Sequence, residues 1–153
     1  MPDISWVSAG HVRVFEFDGA NWNQLGADID GEAADDYSGF SVALSADGTR
    51  LAVGAPYNDG GSGSLSGQAR VFEYTGAAWT QLGASIGGRA FLDLAGGSVA
   101  LSADGGRLAV GERGHDGNGN DSGDTRVFEY DGAAWTQLGS DIDGSVRIKF
   151  LDG

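Results

Sequence analysis

Along this chain apolar and polar residues alternate with a period of two over short runs, and each run is bounded by Gly, Asp, Asn or Ser. The pattern predicts strands over Phe40 to Ser45, Arg50 to Gly54, Ala69 to Tyr74 and Trp79 to Ile86. Asp47-Gly48 supplies the turn between the first two strands, and Thr75-Gly76 the turn between the last two. No stretch combines a 3.6-residue period with helix caps, so the expected fold is all β.

The whole pattern returns. Trp22-Asn23-Gln24-Leu25-Gly26 reappears as Trp79-Thr80-Gln81-Leu82-Gly83 and Trp135-Thr136-Gln137-Leu138-Gly139. Arg13-Val14-Phe15-Glu16-Phe17, Arg70 to Tyr74 and Arg126 to Tyr130 keep step, and Ser41 to Gly48 returns as Ser98 to Gly105. A unit of this length is one supersecondary block that cannot bury its apolar face alone, so the units must stack. Four antiparallel strands per unit predict β-propeller blades, with a β-sandwich as runner-up. Near-identity of the units favours blades, because each blade presents the same two faces to its neighbours. The expected organisation is a partial propeller of roughly two and a half blades: a partial blade over 1–30, blades over 31–87 and 88–144, and a strand-like tail over 145–153. Val42, Leu44, Leu51, Val53, Val71, Leu82 and Ile86, with their copies, are the expected packing between blades, and Trp22, Trp79 and Trp135 are read as packing rather than as sugar platforms.

The phrases Gly39-Phe40-Ser41-Val42-Ala43 and Leu51-Ala52-Val53-Gly54-Ala55-Pro56 resemble the FG-GAP repeat, the blade unit of integrin-α-like propellers and of many bacterial surface proteins. The second unit has Gly111-Glu112-Arg113 where the first has Gly-Ala-Pro, and Ser38-Gly39 and Ala95-Gly96 stand for the Phe-Gly pair. The resemblance implies a non-catalytic binding or adhesion module at the cell surface or outside the cell. It also implies a calcium loop between the first two strands. Ser45-Ala46-Asp47-Gly48-Thr49-Arg50 and Ser102 to Arg107 carry one carboxylate each and an arginine in place of a ligand, so these hairpins read as plain turns.

Composition narrows the partners. A formal charge of −13 leaves no basic stripe for nucleic acid or an anionic membrane. The chain has no cysteine, which excludes disulfides and thiolate chemistry. No apolar run approaches the roughly 20 residues of a membrane-spanning helix, and the first residues lack the pattern of a signal peptide.

The long connections run over 30–39, 56–67, 87–96 and 112–124, and a four-stranded meander brings all of them to one end. That variable, acidic end is the expected contact surface for a protein or carbohydrate ligand, with Asp35, Asp36, Tyr37, Tyr57, Asn58, Asp59, Arg113 and His115 as candidates. His115 to Asp124 is its densest polar stretch. Asp116, Asn118, Asn120 and Asp121 there imitate a calcium loop, but no glutamate closes it and Asp121 stands where a hand-type loop needs glycine. The primary reading is therefore a solvated turn without cofactor, and calcium is the alternative.

No nucleophile elbow, metalloprotease helix or phosphate loop is present, so catalysis has little to stand on. A structural spacer in a larger protein is the competing reading, and a hydrolase with paired loop carboxylates is the minor one. The half units at the two ends leave two expectations. Either the chain is a fragment of a longer one, or Ser145 to Phe150 supplies a first strand to a second copy and Ile4 to Ser8 a second strand, closing a six-bladed ring as a homodimer.

Overall fold

A computed structural model describes residues 7–60, 63–116 and 122–144. The described residues hold strands and turns and no helix. In chain order the strands are β1 (His11–Val12), β2 (Phe15–Phe17), β3 (Trp22–Gln24), β4 (Ile29–Asp30), β5 (Ser41–Leu44), β6 (Arg50–Ala55), β7 (Gln68–Tyr74), β8 (Trp79–Gln81), β9 (Ile86–Gly87), β10 (Ala95–Leu101), β11 (Arg107–Glu112), β12 (Asp124–Tyr130), β13 (Trp135–Gln137) and β14 (Ile142–Asp143). The chain is an all-β partial propeller. β5 to β9 form one antiparallel sheet and β10 to β14 its copy, while β1 to β4 supply the outer half of a unit before them. The tail at Ser145 to Phe150, and Ile4 to Trp6 at the other end, lie outside the described residues.

The predicted fourth strand is corrected by the structure. Trp79 to Ile86 is two strands, β8 and β9, both paired with β7. Between them Leu82 N–H donates to Val71 O at 2.7 Å and Gly83 takes φ +75°. A side chain there would be strained and would also strike the next unit, since a Cβ on Gly83 would lie 2.8 Å from the Trp135 ring.

Period two gives each central strand two buried faces. Leu51, Val53 and Phe72 pack toward Val12, Val14 and Ile29 of the first half unit. Ala52, Ala69, Val71 and Ile86 pack the other way, on Ala95, Leu108, Val110 and Phe128 of the second sheet. Each such Val or Leu contributes about 1.5–3 kcal/mol by leaving water. One sequence block thus builds both halves of the same interface, as a stacked repeat requires.

Four of the expected packing residues are exposed: Leu138 and Ile142 at the far edge, and Val42 and Leu44. Val42 and Leu44 are 52% and 49% exposed, whereas their copies Val99 and Leu101 pack against the core between the two full sheets. The difference is positional: β10 lies on β5 and β6, but among the described residues the half unit offers β5 no inner strands to lie on. Trp22 is 68% exposed for the corresponding reason.

Candidate ligand face

Backbone hydrogen bonds tie the long connections to one another at one end of the sheets. Tyr37 and Ser38 N–H donate to Ser8 and Ala9 O, and Leu94 and Ala95 N–H donate to Leu65 and Ser66 O in the same arrangement. Gly114 N–H continues the series to Asp93 O. These loops are a built rim rather than solvated coil. The Asp-Gly hairpins occupy the other end, where Ala46 N–H donates to Ala103 O.

The rim is held in an uncommon backbone conformation. Asp35 and Tyr37 have φ +64° and +54°, and their copies Leu92 and Leu94 have +65° and +56°. Such left-handed values disfavour side chains with a Cβ. Their repetition shows that the bend belongs to the unit.

The candidate residues divide into two groups. Asp36 and Asn58 are buried, and Asn58 Nδ2 donates to Asp36 Oδ2 at 2.8 Å, while Asp36 also accepts from Ala33 N–H. Asp59 accepts from Leu65 N–H and Ser64 Oγ. In the second unit Asp93 and His115 take the places of Asp36 and Asn58, with His115 Nδ1 at 3.2 Å from Asp93 Oδ1. The sequence grouped these with surface residues because Asp, Asn and His in a loop carry no mark of burial. Asp36, Asn58 and His115 therefore hold the rim together, whereas Asp59 braces its own loop and is exposed, as is Asp35.

Tyr37, Tyr57 and Arg113 stand at its surface. The Tyr37 and Tyr57 rings lie 5.2 Å apart, and Phe40 lies 6.2 Å from Tyr57, edge-on. Arg113, from the second unit, donates to the Tyr57 hydroxyl at 3.1 Å. Phe40 and Tyr37 are 51% and 47% exposed. The result is an aromatic patch with a guanidinium on its edge, spanning two units. Phe40 was missed as a candidate because it reads as the first residue of a strand.

Beside the patch lies a charge network that sequence reading did not find. Glu112 is fully buried and pairs with Arg126 and with Arg89 at 3.0 Å, and Arg89 also pairs with Asp124 and Asp141. The first unit has Ala55, Gln68 and Glu32 at the positions of Glu112, Asp124 and Arg89. There Glu32 accepts from Gln68 and sits 3.5 Å from Arg70. The second unit has therefore exchanged its charges together, adding carboxylates and reversing Glu to Arg. Burial raises the Glu112 carboxyl above its usual range, against the pull of Arg126 and Arg89.

Metal sites fit poorly. Asp93, Glu112 and His115 bring ligand atoms within 4.8 Å of one another, as do His115, Asp124 and Asp141. Arg89 and Arg126 already pair with Glu112, Asp124 and Asp141, and Asp93 already accepts from the backbone N–H groups of Arg89 and Ala90. In the hairpin where the FG-GAP resemblance implies calcium, Asp47 Oδ1 accepts from Thr49 N–H, Thr49 Oγ1 and Ser45 Oγ. Asp104 is engaged likewise by Gly106 N–H and Ser102 Oγ. One carboxylate so engaged does not meet calcium's need for six to eight oxygens. Of the proposed loop ligands, Asp116 is exposed, and Asn118, Asn120 and Asp121 lie outside the described residues.

Comparison with known proteins agrees with the fold. Residues 27–72 match the FG-GAP repeat family, so the resemblance read from the sequence holds over that stretch. No curated protein matches the chain significantly. Among solved structures it is similar to a Bacteroides uniformis protein named as a candidate 6-phosphogluconolactonase, with TM-score 0.58 and 18% identity over 95% of this chain. The chain spans 40% of that protein's length. At this identity the likeness concerns the fold, and it brings no catalytic residue with it.

Proposed function

We propose that this chain is a non-catalytic binding module of a surface or secreted repeat protein, contacting a protein or glycan through the loop-bearing rim. The observation that carries this reading is the surface patch in which exposed Tyr37 and Phe40 flank half-buried Tyr57, edged by Arg113. Aromatic side chains with polar tips are the residues that interfaces favour, and a rim hydrogen-bonded in advance lowers the entropy lost on binding. A net charge of −13 adds long-range attraction for a cationic partner. The similarity to the FG-GAP repeat supports a scaffold role, in which recognition residues sit on loops.

Glycan arrays and a panel of immobilised basic proteins, probed with the whole chain, test this. Saturable binding to a member of either panel is expected. Tyr57→Ala and Arg113→Ala should each weaken it by about tenfold or more, as loss of an interface anchor does, with thermal stability retained. Absence of saturable binding on both panels would leave the spacer reading in its place.

A further inference from the structure

Each unit grips the next through the same few atoms, and one half of that grip is exposed at either end of the described fold. Trp79 Nε1 donates to Leu25 O of the preceding unit at 2.7 Å, and Trp135 Nε1 donates to Leu82 O at 2.8 Å. The glycine after each leucine makes room for the indole: a Cβ on Gly26 or Gly83 would lie 2.9 or 2.8 Å from the incoming tryptophan Cδ1. Each indole is braced by a tyrosine, Tyr74 or Tyr130, at 5.2 or 5.1 Å. Across the second junction Arg50 lies over the Tyr130 ring at 5.5 Å and donates to Gly105 O.

At the leading edge Phe17 and Trp22 form the same pair, 5.1 Å apart and tilted 43°, as do Tyr130 and Trp135. Yet Trp22 is 68% and Phe17 52% exposed. At the trailing edge the receiving half recurs in Leu138, Gly139 and Arg107. Gly139 keeps the left-handed φ of +66°, but a Cβ on it would meet nothing within 4 Å among the described residues. Ile142, whose copies Ile29 and Ile86 are 7% and 8% exposed, is 61% exposed. Ser98 lines an open cleft with Gly97, Gly111 and Thr125, while its copy Ser41 donates across the junction to Gly96 O.

We propose that the leading edge of one copy of this chain docks on the trailing edge of a second copy, with Trp22 Nε1 donating to the partner copy's Leu138 carbonyl and the partner copy's Arg107 over Phe17. The occupant is a second copy because both halves of an interface that the chain builds twice internally are present on it, in the same geometry. Such contact is heterologous and leaves one edge of each kind exposed in every dimer. It is independent of the ligand face.

Complementation tests it. Trp22→Ala removes the inserted half and leaves the receiving half intact. Gly139→Asn fills the receiving half with a residue that accepts left-handed φ, and leaves Trp22 intact. Sedimentation velocity over a concentration series should show wild-type chain associating. Each variant alone should remain monomeric, with Kd raised about tenfold or more. An equimolar mixture of the two variants should form a dimer and nothing larger, since it contains one intact edge of each kind. A wild type that stays monomeric at millimolar concentration overturns the proposal. So does a Trp22→Ala chain that associates like wild type, or a mixture that stays monomeric while circular dichroism shows both variants folded.

Discussion

The indole of Trp135 reaches out of its own sheet to the carbonyl of Leu82 in the sheet before it, at 2.8 Å. The acceptor sits in the break between β8 and β9, so the kink that interrupts one unit's fourth strand is the seat of the next unit's tryptophan. This gives the Trp-x-Gln-Leu-Gly phrase two roles in one repeat: its tryptophan is inserted backward and its Leu-Gly receives from ahead.

Trp79→Phe and Trp135→Phe should therefore each lower stability by about 1 kcal/mol, the worth of one hydrogen bond whose acceptor loses its partner. Trp22→Phe should change it by less than about 0.5 kcal/mol, as expected for an exposed position. Urea denaturation of dilute chain compares the three. Equal losses at all three positions would show that the tryptophans act within their own sheets.

Arg89→Ala should destabilise by about 2–3 kcal/mol. Removing one partner of a buried pair costs about 3–5 kcal/mol, and the 35% exposure of the Arg89 side chain reduces this. The defect should shrink as pH falls, because Glu112, already raised by burial, takes up a proton and relieves the uncompensated charge. Restoring the first unit's set with Arg89→Glu, Glu112→Ala and Asp124→Gln together should recover most of the loss. A triple variant less stable than Arg89→Ala would show that the exchange is not a compensated one.

The Asp47 carboxyl is lowered to about 2 by the Thr49 N–H first, then by the Ser45 and Thr49 hydroxyls. A lowered carboxyl adds stability above its unfolded value of about 3.9 and loses it as pH falls toward 2. Asp47→Ala should thus be less stable than wild type at pH 6, and the gap should close between pH 4 and about 2. Carboxyl carbon shifts followed by NMR report the Asp47 midpoint directly. A midpoint near 4 would mean that the turn does not hold the carboxylate.

Calcium should leave the melting temperature unchanged to within about 1 °C between millimolar calcium and chelator, since a ligand that does not bind the native state adds no stability. The hairpin carboxylates are already engaged by their own turns. A clear rise that disappears in Asp116→Ala would place binding in the 115–124 loop.

Much of this fold can be read along the chain. Period-two alternation and Asp-Gly turns depend on neighbours two to four residues away, so the strands, their order and the units follow from local pattern. Arg70 over Phe72 and Arg126 over Phe128, with Glu73 turned to Arg50 on the adjacent strand, also follow from the same alternation. Contacts between units are different, because they join residues far apart in the chain, such as Leu65 with Leu94 and Leu25 with Trp79. Val42 and Val99 stand in the same phrase, yet one is half exposed and the other packed, for only the second has a full sheet beneath it. Asp36 and Asn58 look like surface ligands until the rim folds over and pairs them. Arg89, Glu112, Asp124 and Asp141 are scattered in sequence and meet because consecutive turns of the repeat place their loops on one rim. Repetition specifies a unit and the faces it offers, whereas the burial of each copy depends on whether another unit lies against it.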